Sequence, residues 1–427
     1  MRDPDQASVP EPDSSAHKPL TIVIGADTFS PDVNGAARFA ERLASGLAAR
    51  GHDVHVVAPA ASRKHGTWTE TYEGQDITAH RLRSYRWYPH DWLRWAVPWR
   101  IKQNSARILD EVKPDVVHFQ SHIVTGRGLS VEAEKRGIRI IGTNHFMPEN
   151  MLEFTGIPKP MQEWAIGLAW RAARRSFVRA EAVTSPTKKA AEFLEKYTGL
   201  TGVHAISCGI DADNYTPDFE PRTANRIVFV GRVTGEKQID VLLRAMTLLP
   251  ADLDAQLEIV GGGDQKKNLE HLAETLGIAD RVTFTGYVTD DELRQAYTRA
   301  TVLAMPSIAE LQSIVTMEAM ASGLPIVAAN AMALPHLVHD GENGYLFTPG
   351  DAADLADRLE RVLRAPAEQL NAMKSASLKI VAAHDIKRTL STFESLYRGE
   401  PVADPVMDAG SPVPTAEKRP GGGSSAG

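Results

Sequence analysis

Short apolar runs of strand length alternate with helical segments along most of the chain, and this alternation starts twice. Residues 20–27 read LTIVIGAD, helical periodicity follows over 35–51, and DVHVVAP stands at 53–59. Near-continuous apolar strands separated by helices are typical of parallel sheets covered on both faces. The pattern therefore predicts an α/β protein with two facing, Rossmann-like, doubly wound domains and a cleft between them.

The expected strands fall into two sets. The first set covers residues 20–27, 53–59, 115–119, 138–145 and 181–186, and the second covers 225–232, 256–263, 281–288, 301–307, 324–330 and 344–350. The charge balance changes sign between them, because residues 18–208 carry 26 Lys and Arg against 19 Asp and Glu, whereas residues 209–427 carry 20 against 31. We therefore expect an N-terminal domain over 18–208 and a second domain over 209–384.

The two ends of the chain have a different composition. Residues 1–17 and 401–427 are rich in Pro, Ser, Asp and Gly, which predicts disordered tails. The single cysteine, Cys208, excludes an internal disulfide and a cysteine-based zinc cluster. The sequence shows no signal peptide and no apolar run of about 20 residues, so we expect a cytoplasmic location.

Ligands of doubly wound sheets bind beyond the carboxyl ends of the strands, so functional groups are expected at these ends. Gly35 stands at the start of the helix after the first strand, where backbone N–H groups could approach a phosphate. Gly263 belongs to the run IVGGGD at 259–264, where a flat base could rest on bare backbone. Both glycines could equally serve only the geometry of a turn. His145 ends the expected strand 138–145 and would face the cleft, unless it is a structural core histidine.

Two cations occupy one strand-to-helix connection. Arg232 ends the strand and Lys237 begins the next helix, where positive charge opposes the helix dipole. The arrangement is best explained by an anion between them, and a diphosphate fits because guanidinium bonds it bidentately and lysine adds a point charge. The alternative is that Lys237 is a solvated side chain paired with Glu236.

Two glutamates lie eight positions apart in the segment PSIAELQSIVTMEAMASGLPIV at 306–327. Glu310, in the loop before the helix, could accept hydrogen bonds from ligand hydroxyls, and Glu318 could bind two vicinal hydroxyls, as on a ribose. The helix start between them, at Ser313, Val315 and Thr316, would bind phosphate. With the two cations, these groups fit a sugar joined through diphosphate to a nucleoside.

These residues give the chain its resemblance to a known family. The glutamate pair followed by AMASGLPIV, the GRVTGEK stretch at 231–237 and GIDADNYTP at 209–217 resemble the retaining family-4 glycosyltransferases of the GT-B fold, over about residues 20–398. The resemblance implies front-face transfer, in which the departing phosphate helps to deprotonate the acceptor. It also implies that a last helix over 385–398 crosses back to complete the first domain. The roles it implies are diphosphate binding by Arg232 and Lys237, ribose binding by Glu318, donor-sugar contact by Glu310, a place beside the sugar for His145 and phosphate approach at Gly35.

The loop after the first glutamate departs from the family pattern. Many members have E-G-F-G where this chain has ELQS at 310–313. The phosphate and sugar contacts that the glycine loop makes in those members are therefore not predicted for this chain. The segments ELQSIVTMEAMASG and MALPHLV (332–338) are similar to the subgroup that glycosylates membrane lipids. This similarity implies transfer of a hexose from UDP-glucose or GDP-mannose to diacylglycerol or a glycolipid. A soluble sugar or cyclitol acceptor, a sugar-nucleotide epimerase and a non-catalytic nucleotide-sugar sensor remain alternatives.

A cluster of tryptophan and arginine provides the hypothesis about the acceptor. The window RSYRWYPHDWLRWAVPWRIK at 83–102 holds four of the seven tryptophans, Trp87, Trp92, Trp95 and Trp99, among basic residues. Such a surface suits an anionic membrane interface, extended by the basic stretch 170–179, and predicts a peripheral protein on the inner face of the membrane. The alternative is that the tryptophans pack a loop onto the first domain.

Two D-x-D pairs could hold a metal-bound diphosphate. They are DAD at 211–213 and DLD at 252–254, which lie in the expected interdomain segment and in a turn before a strand. We expect both to be solvated or structural, so no metal or other cofactor is predicted beyond the nucleotide-sugar substrate. No nucleic-acid partner is predicted.

Overall fold

A computed structural model describes residues 18–32, 34–86, 94–148 and 159–402. The predicted N-terminal tail, residues 403–427 of the predicted C-terminal tail, Trp87 and Trp92 lie outside these residues. The described chain contains two large sheets and one small hairpin. We call the part built on the first sheet the first lobe and the part built on the second sheet the second lobe.

The first lobe has an eight-stranded sheet in the order β10-β9-β8-β7-β1-β2-β4-β3. Its pairings are parallel except for β3, which pairs antiparallel with β4 at one edge. A separate antiparallel pair is formed by β5 and β6. The strands are β1 Thr21–Gly25, β2 Asp53–Pro59, β3 Gly66–Tyr72, β4 Gln75–Leu82, β5 Ser84–Arg86, β6 Arg94–Ala96, β7 Val116–Phe119, β8 Arg139–Thr143, β9 Ala182–Ser185 and β10 His204–Ala205.

The second lobe has a six-stranded, fully parallel sheet in the order β13-β12-β11-β14-β15-β16. One mostly parallel and one fully parallel sheet, with intervening helices, confirm the predicted fold class. The strands are β11 Arg226–Val230, β12 Gln256–Val260, β13 Val282–Gly286, β14 Val302–Met305, β15 Ile326–Ala329 and β16 Gly344–Phe347.

Thirteen α-helices accompany these strands in the described part of the chain. They are α1 Gly35–Ala49, α2 Ile101–Val112, α3 Thr125–Lys135, α4 Lys159–Phe177, α5 Lys188–Thr198, α6 Ile239–Leu248, α7 Lys266–Thr275, α8 Asp290–Arg299, α9 Ile314–Ala321, α10 Leu334–Leu337, α11 Ala352–Leu363, α12 Ala367–Val381 and α13 Ile386–Arg398. No helix within these ranges is long and apolar enough to cross a bilayer.

Helix α1 shows how local sequence fixes an element beside the cleft. The side chain of Asn34 accepts a hydrogen bond from the backbone N–H of Ala37 at 2.9 Å and caps the helix start. Phe39 and Leu43, four residues apart, are buried on the inner face. The opposite face is left to polar side chains, and this placement brings arginines of α1 to the cleft.

The last helix, α13, packs against the first lobe although the second lobe precedes it in the chain. The guanidinium of Arg50 pairs with Glu394, and the second oxygen of that carboxylate lies 2.8 Å from Nε2 of His52. The hydroxyl of Tyr397 lies 2.7 Å from Nδ1 of the fully buried His118. The helix expected at 385–398 is therefore present, and its contacts are with the first sheet and α1.

The edge hairpin of β3 and β4 was not predicted. Gly66–Tyr72 is mostly exposed or half-buried, as an edge strand with one solvated face should be. Its alternation of polar residues has none of the long apolar runs that identify the buried parallel strands. The buried strands were found at nearly their true bounds because each is apolar on both faces.

Candidate active site

A cavity of about 690 Å³ lies between the two lobes. It is lined at the carboxyl ends of strands from both sheets, including Asp27 after β1, Gln120 after β7, Arg232 after β11 and Gly261 after β12. This is the position at which open α/β sheets bind ligands. Among the predicted site residues, those that line the cavity are Gly35, His145, Arg232, Lys237, Glu310, Ser313, Val315 and Glu318, whereas Gly263 and Thr316 do not.

The cations of the second lobe are held by carboxylates. The ammonium of Lys237 forms an ion pair with Glu310, and both side chains are largely buried. Nη2 of Arg232 lies 3.3 Å from Oε1 of Glu236. Glu236 therefore pairs with Arg232, and the alternative pairing of Lys237 with Glu236 is wrong. The arrangement leaves two positive groups and Glu310 side by side on one wall of the cavity.

Glu318 is held from both lobes. Nη2 of Arg42, on α1, donates to Oε1 at 2.8 Å, and the hydroxyl of Tyr297 donates to Oε2 at 3.0 Å. Glu318 stabilises the charged guanidinium and raises the pKa of Arg42 despite the opposing effect of burial. Because each carboxylate oxygen has two lone pairs, Glu318 keeps capacity to accept hydrogen bonds from a diol.

The first turn of α9 is capped by the side chain of Ser313. Oγ of Ser313 accepts a hydrogen bond from the backbone N–H of Thr316 at 3.3 Å and another from the Thr316 hydroxyl at 2.9 Å. Thr316 is fully buried, which explains why it does not reach the cavity. Ser313 and Val315 do line it, so the positive end of the α9 dipole faces the space between the carboxylates.

His145 lies on the wall of the first lobe. Its Nε2 donates to Oε1 of Gln120 at 2.8 Å, and its ring packs at 5.0 Å from that of Phe39. Burial lowers the pKa of His145 to about 4, so the imidazole is neutral near pH 7. A neutral imidazole fixed by Gln120 can take part in a hydrogen bond with a ligand without adding charge.

The two predicted glycines occupy different environments. A Cβ placed at Gly35 would meet only Cδ1 of Ile314, at 3.8 Å, which is an ordinary contact. A Cβ at Gly263 would lie 2.2 Å from the carbonyl oxygen of Val233. Packing therefore requires a glycine at 263, which favours the turn interpretation there, whereas the protein itself leaves room for a side chain at 35.

Two sequence models of known families match successive parts of the chain. The model described as Glycosyltransferase Family 4 matches residues 33–214, and the model described as Glycosyl transferases group 1 matches residues 215–379. The first match covers the α1 wall of the cavity, and the second covers the cations and both glutamates.

The chain belongs to the family-4 glycosyltransferases. It is 31% identical over 282 residues to the sulfoquinovosyl transferase of Arabidopsis thaliana, a match that covers 61% of this chain and 52% of the relative. It is 28% identical over 341 residues to the GDP-mannose-dependent alpha-mannosyltransferase of Mycolicibacterium smegmatis, covering 77% and 84%. The match to the plant protein thus spans about half of that relative's length.

Solved structures of glycosyltransferases share the fold. An Anabaena protein, HepE, in complex with UDP-glucose superposes with a TM-score of 0.69 and 18% identity, covering 89% of this chain and 100% of that one. At this level of identity the likeness concerns the arrangement of two facing sheets. It agrees with the fold predicted from the alternation of strands and helices.

In this glycosyltransferase the tryptophan-rich window is not one exposed surface. Trp95 is half-buried and lines the cavity, and Nε of Arg94 donates to the carbonyl oxygen of Ala60 at 2.9 Å. Trp99, by contrast, is 79% exposed. Arg94 and Trp95, on β6, both line the cavity, whereas Trp99 follows the hairpin and is exposed, so Arg94 and Trp95 do not share an exposed surface with Trp99.

The aspartates of the two D-x-D pairs have structural partners. Asp211 accepts hydrogen bonds from the backbone N–H of Asp213, at 3.2 Å, and from the side chain of Asn214. Asp252 pairs with Arg364 at 2.9 Å. Among the described residues no group of three or more His, Cys, Asp or Glu could hold a metal ion.

Sequence reasoning missed the contribution of α1. Arg42 and Arg38 both reach the second lobe, Arg42 to Glu318 and Arg38 to Asp290, each at 2.8 Å. In the sequence they have the helical spacing of a solvated polar face, and their partners are 276 and 252 residues away. Only the three-dimensional approach of the lobes identifies them.

Proposed function

We propose that this protein is a retaining hexosyltransferase that moves a hexose from a nucleotide-diphosphate sugar, UDP-glucose or GDP-mannose, to a membrane lipid such as diacylglycerol or a glycolipid. The observation that carries the proposal is that Arg232, Lys237, Glu310 and Glu318 share one cavity between two doubly wound sheets. Cations suited to a diphosphate lie beside carboxylates suited to hydroxyls, as a nucleotide sugar requires.

In this proposal the donor lies along the wall of the second lobe. The ribose hydroxyls donate to Glu318, the diphosphate lies between Arg232, Lys237 and the start of α9, and a sugar hydroxyl donates to Glu310. Charge grows on the outer phosphate as the bond to the anomeric carbon breaks, and the fixed cations stabilise that charge. No metal or cofactor is needed for this step.

The acceptor hydroxyl approaches from the first lobe. It forms the new bond to the anomeric carbon on the face that the phosphate leaves, and its proton passes to the departing phosphate oxygen, so the configuration is retained. His145 and Gln120 orient the reacting sugar as neutral hydrogen-bonding groups. Trp95, Val124 and Met147 give this wall an apolar part that suits the chain of a lipid.

Helix α4 offers a face for the membrane. Met161, Trp164 and Leu168 are 52%, 63% and 41% exposed and lie three and four residues apart, which places them on one stripe of the helix. Arg171 and Arg175 continue the same stripe and are exposed. Aromatic and aliphatic groups followed by basic groups fit an anionic lipid surface, at which the protein would be peripheral on the cytoplasmic side.

A donor screen tests the enzymatic part of the proposal. UDP, GDP, UDP-glucose and GDP-mannose are added to the protein and the thermal unfolding midpoint is followed; one nucleotide should raise it. The matching sugar donor is then incubated with a lipid extract and the products are analysed, with the anomeric configuration read by NMR. Transfer to soluble sugars alone would overturn the lipid acceptor, and release of an epimerised donor would favour the epimerase.

Vesicle flotation tests the membrane part. Trp164→Ser with Leu168→Ser should reduce binding to anionic vesicles severalfold, and Arg171→Gln with Arg175→Gln should make the remaining binding insensitive to anionic lipid. Leu248→Ser, at an exposed apolar residue of the second lobe, serves as the matched control. Binding that is unchanged by the α4 substitutions would overturn the membrane surface.

A further inference from the structure

The loop at 310–313, where this chain departs from its family, is tied to the segments that join the two lobes. The backbone N–H of Cys208 donates to Oε1 of Gln312 at 2.7 Å, and Nε2 of Gln312 donates to Oγ of Ser207 at 3.0 Å. A backbone N–H can only donate, so the orientation of the Gln312 amide is fixed. Ser207 and Cys208 are both buried, which makes each bond costly to lose.

Ser207 belongs to the place where the chain crosses between the lobes in both directions. The outgoing segment follows β10, and the returning segment lies between α12 and α13. Oγ of Ser207 lies 2.9 Å from Nδ1 of His384, and the hydroxyl of Thr389 donates to the Ser207 carbonyl at 3.0 Å. The two segments also exchange backbone bonds, from the Ile210 N–H to the His384 oxygen and from the Ile386 N–H to the Ile210 oxygen. Relative movement of the lobes has to be absorbed here.

The whole loop 310–313, including Gln312, lines the cavity. Glu310 pairs with Lys237, and Ser313 caps α9, so the residues on both sides of Gln312 belong to the donor wall. The neighbouring Leu311 carbonyl accepts a hydrogen bond at 2.9 Å from the hydroxyl of Thr187, which lies in the first lobe at the start of α5. The loop thus contacts the first lobe through Leu311, the crossing segments through both ends of the Gln312 amide, and the donor wall through Glu310 and Ser313.

We propose that Gln312 is a positioning residue that couples the donor-side loop 310–313 to the crossing segments. The loop then adopts the conformation seen in this structure only when the two lobes have the relative position seen in this structure. The donor role of this loop rests on the proposed function, whereas the coupling itself does not. In family members with E-G-F-G, phenylalanine stands at the position of Gln312, and its side chain could not form either bond to 207–208.

Amide hydrogen exchange without ligand tests the coupling. Gln312→Met keeps the length of the side chain and removes both hydrogen bonds, so exchange at residues 206–211 should become about tenfold faster, since one hydrogen bond to a buried N–H is lost. Exchange at residues 309–316 should rise with it. Gln369→Met, at an exposed glutamine of α12, is the matched control and should change neither segment.

A double-mutant comparison separates coupling from simple loosening. Ser207→Ala removes a bond at the crossing and should speed exchange at 309–316 in the wild-type background, but should add nothing there in Gln312→Met. Additive effects, or a loop unaffected by Ser207→Ala, would overturn the proposal. If Gln312→Met does not fold, Ser207→Ala alone still decides whether the crossing reaches the loop.

Nucleotide addition then distinguishes this inference from the proposed function. With UDP or GDP, whichever binds, protection should appear at both 309–316 and 206–211 in the wild type, and only at 309–316 in Gln312→Met. Protection that persists at 206–211 in this variant would contradict the coupling. If neither nucleotide binds the wild type, the proposed donor fails, while the ligand-free comparison still decides the role of Gln312.

Discussion

The two walls of the cleft carry different electrostatics. On the second lobe, the strand-end groups are charged and paired, as with Lys237 and Glu310. On the first lobe, the groups after β7 and β8 are Gln120 and His145, which are uncharged near neutral pH because burial lowers the pKa of the histidine to about 4. Charged strand-end groups suit a diphosphate that gains charge during reaction, whereas the uncharged groups Gln120 and His145 suit an acceptor that gives up only a proton. Charged groups of the first lobe, Asp27 and the arginines of α1, line the cavity elsewhere.

Substitution of Lys237 should give the largest effect of the difference between the charged groups of the second lobe and the uncharged groups of the first. We expect Lys237→Met to lower kcat for glycosyl transfer about a hundredfold, a loss of ~3 kcal/mol in stabilisation of the leaving phosphate. The measurement is the initial rate with the donor found by the nucleotide screen. Lys266→Met, at a lysine of α7 whose partner is Glu270, is the control and should leave kcat unchanged. A Lys237→Met enzyme within threefold of the wild-type rate would remove the charged strand-end groups from the mechanism.

The charged contacts that cross between the walls should differ in strength according to burial. Arg42 and Glu318 are 17% and 8% exposed, whereas Arg38 and Asp290 are 38% and 57% exposed. Arg42→Met leaves a buried carboxylate without its cation and should lower the free energy of unfolding by about 2–3 kcal/mol. Arg38→Met should cost less than ~1 kcal/mol. Urea unfolding measures both, and equal losses would contradict the burial argument.

The two glycines provide a third test, with Gly35 on the cavity wall of the first lobe and Gly263 in a tight turn of the second lobe. Gly263→Ala should lower the free energy of unfolding by about 1–3 kcal/mol, because its Cβ would press on the Val233 carbonyl. Gly35→Ala should leave stability unchanged, since its Cβ has room, but should raise KM for the donor about tenfold if phosphate approaches the backbone there. An unchanged KM would limit Gly35 to a structural role.

The buried histidines of the first lobe should affect the pH dependence of stability. Burial lowers the pKa of His118 to about 3 and that of His145 to about 4, below the value near 6.5 of an unfolded histidine. The unfolded chain therefore binds protons first, and the free energy of unfolding should fall by about 3 kcal/mol for each of these histidines as pH drops from ~6.5 to ~4. His118→Gln should weaken this dependence, whereas the exposed His271→Gln should not.

Metal removal should have the smallest effect. Because fixed cations take the place of a divalent ion in the proposed mechanism, EDTA should leave the transfer rate within experimental error. The rate is measured before and after dialysis, with Mg²⁺ or Mn²⁺ added back. A loss that either metal restores would assign the diphosphate to a metal ion and reduce the part played by Arg232 and Lys237.

The sequence was most informative where a residue conflicts with its local environment. Lys237, just before α6, and Glu318, in a buried helix, both require a partner, so the need for a partner could be predicted before any contact was known. Arg42 conflicts with nothing, because an arginine on the outer face of α1 is ordinary. Gln312 likewise acquires a role only through Cys208, which is 104 residues away.

Two further differences between the predictions and the structure concern the window around Trp95 and the exposed stripe of α4. The bounds of the buried strands followed from their apolar runs, but the window around Trp95 was predicted to be one surface, whereas Trp95 lines the cavity and Trp99 is exposed. Of the amphipathic stripe of α4, only the basic end at 170–179 was predicted to be part of a membrane surface. Met161, Trp164 and Leu168 were not identified, because three apolar residues are not distinctive in a chain rich in apolar segments.

The contacts of α13 also bear on how the protein is made. A ribosome synthesises Glu394 and Tyr397 long after their partners Arg50 and His118. Leu390 of α13 also packs closely on Gly46 of α1, where an added Cβ would lie 2.6 Å from the leucine Cδ1. The lobe that emerges first is thus finished last, after the entire second lobe has been translated. A nascent chain must keep the groove beside α1 open until its last helix arrives.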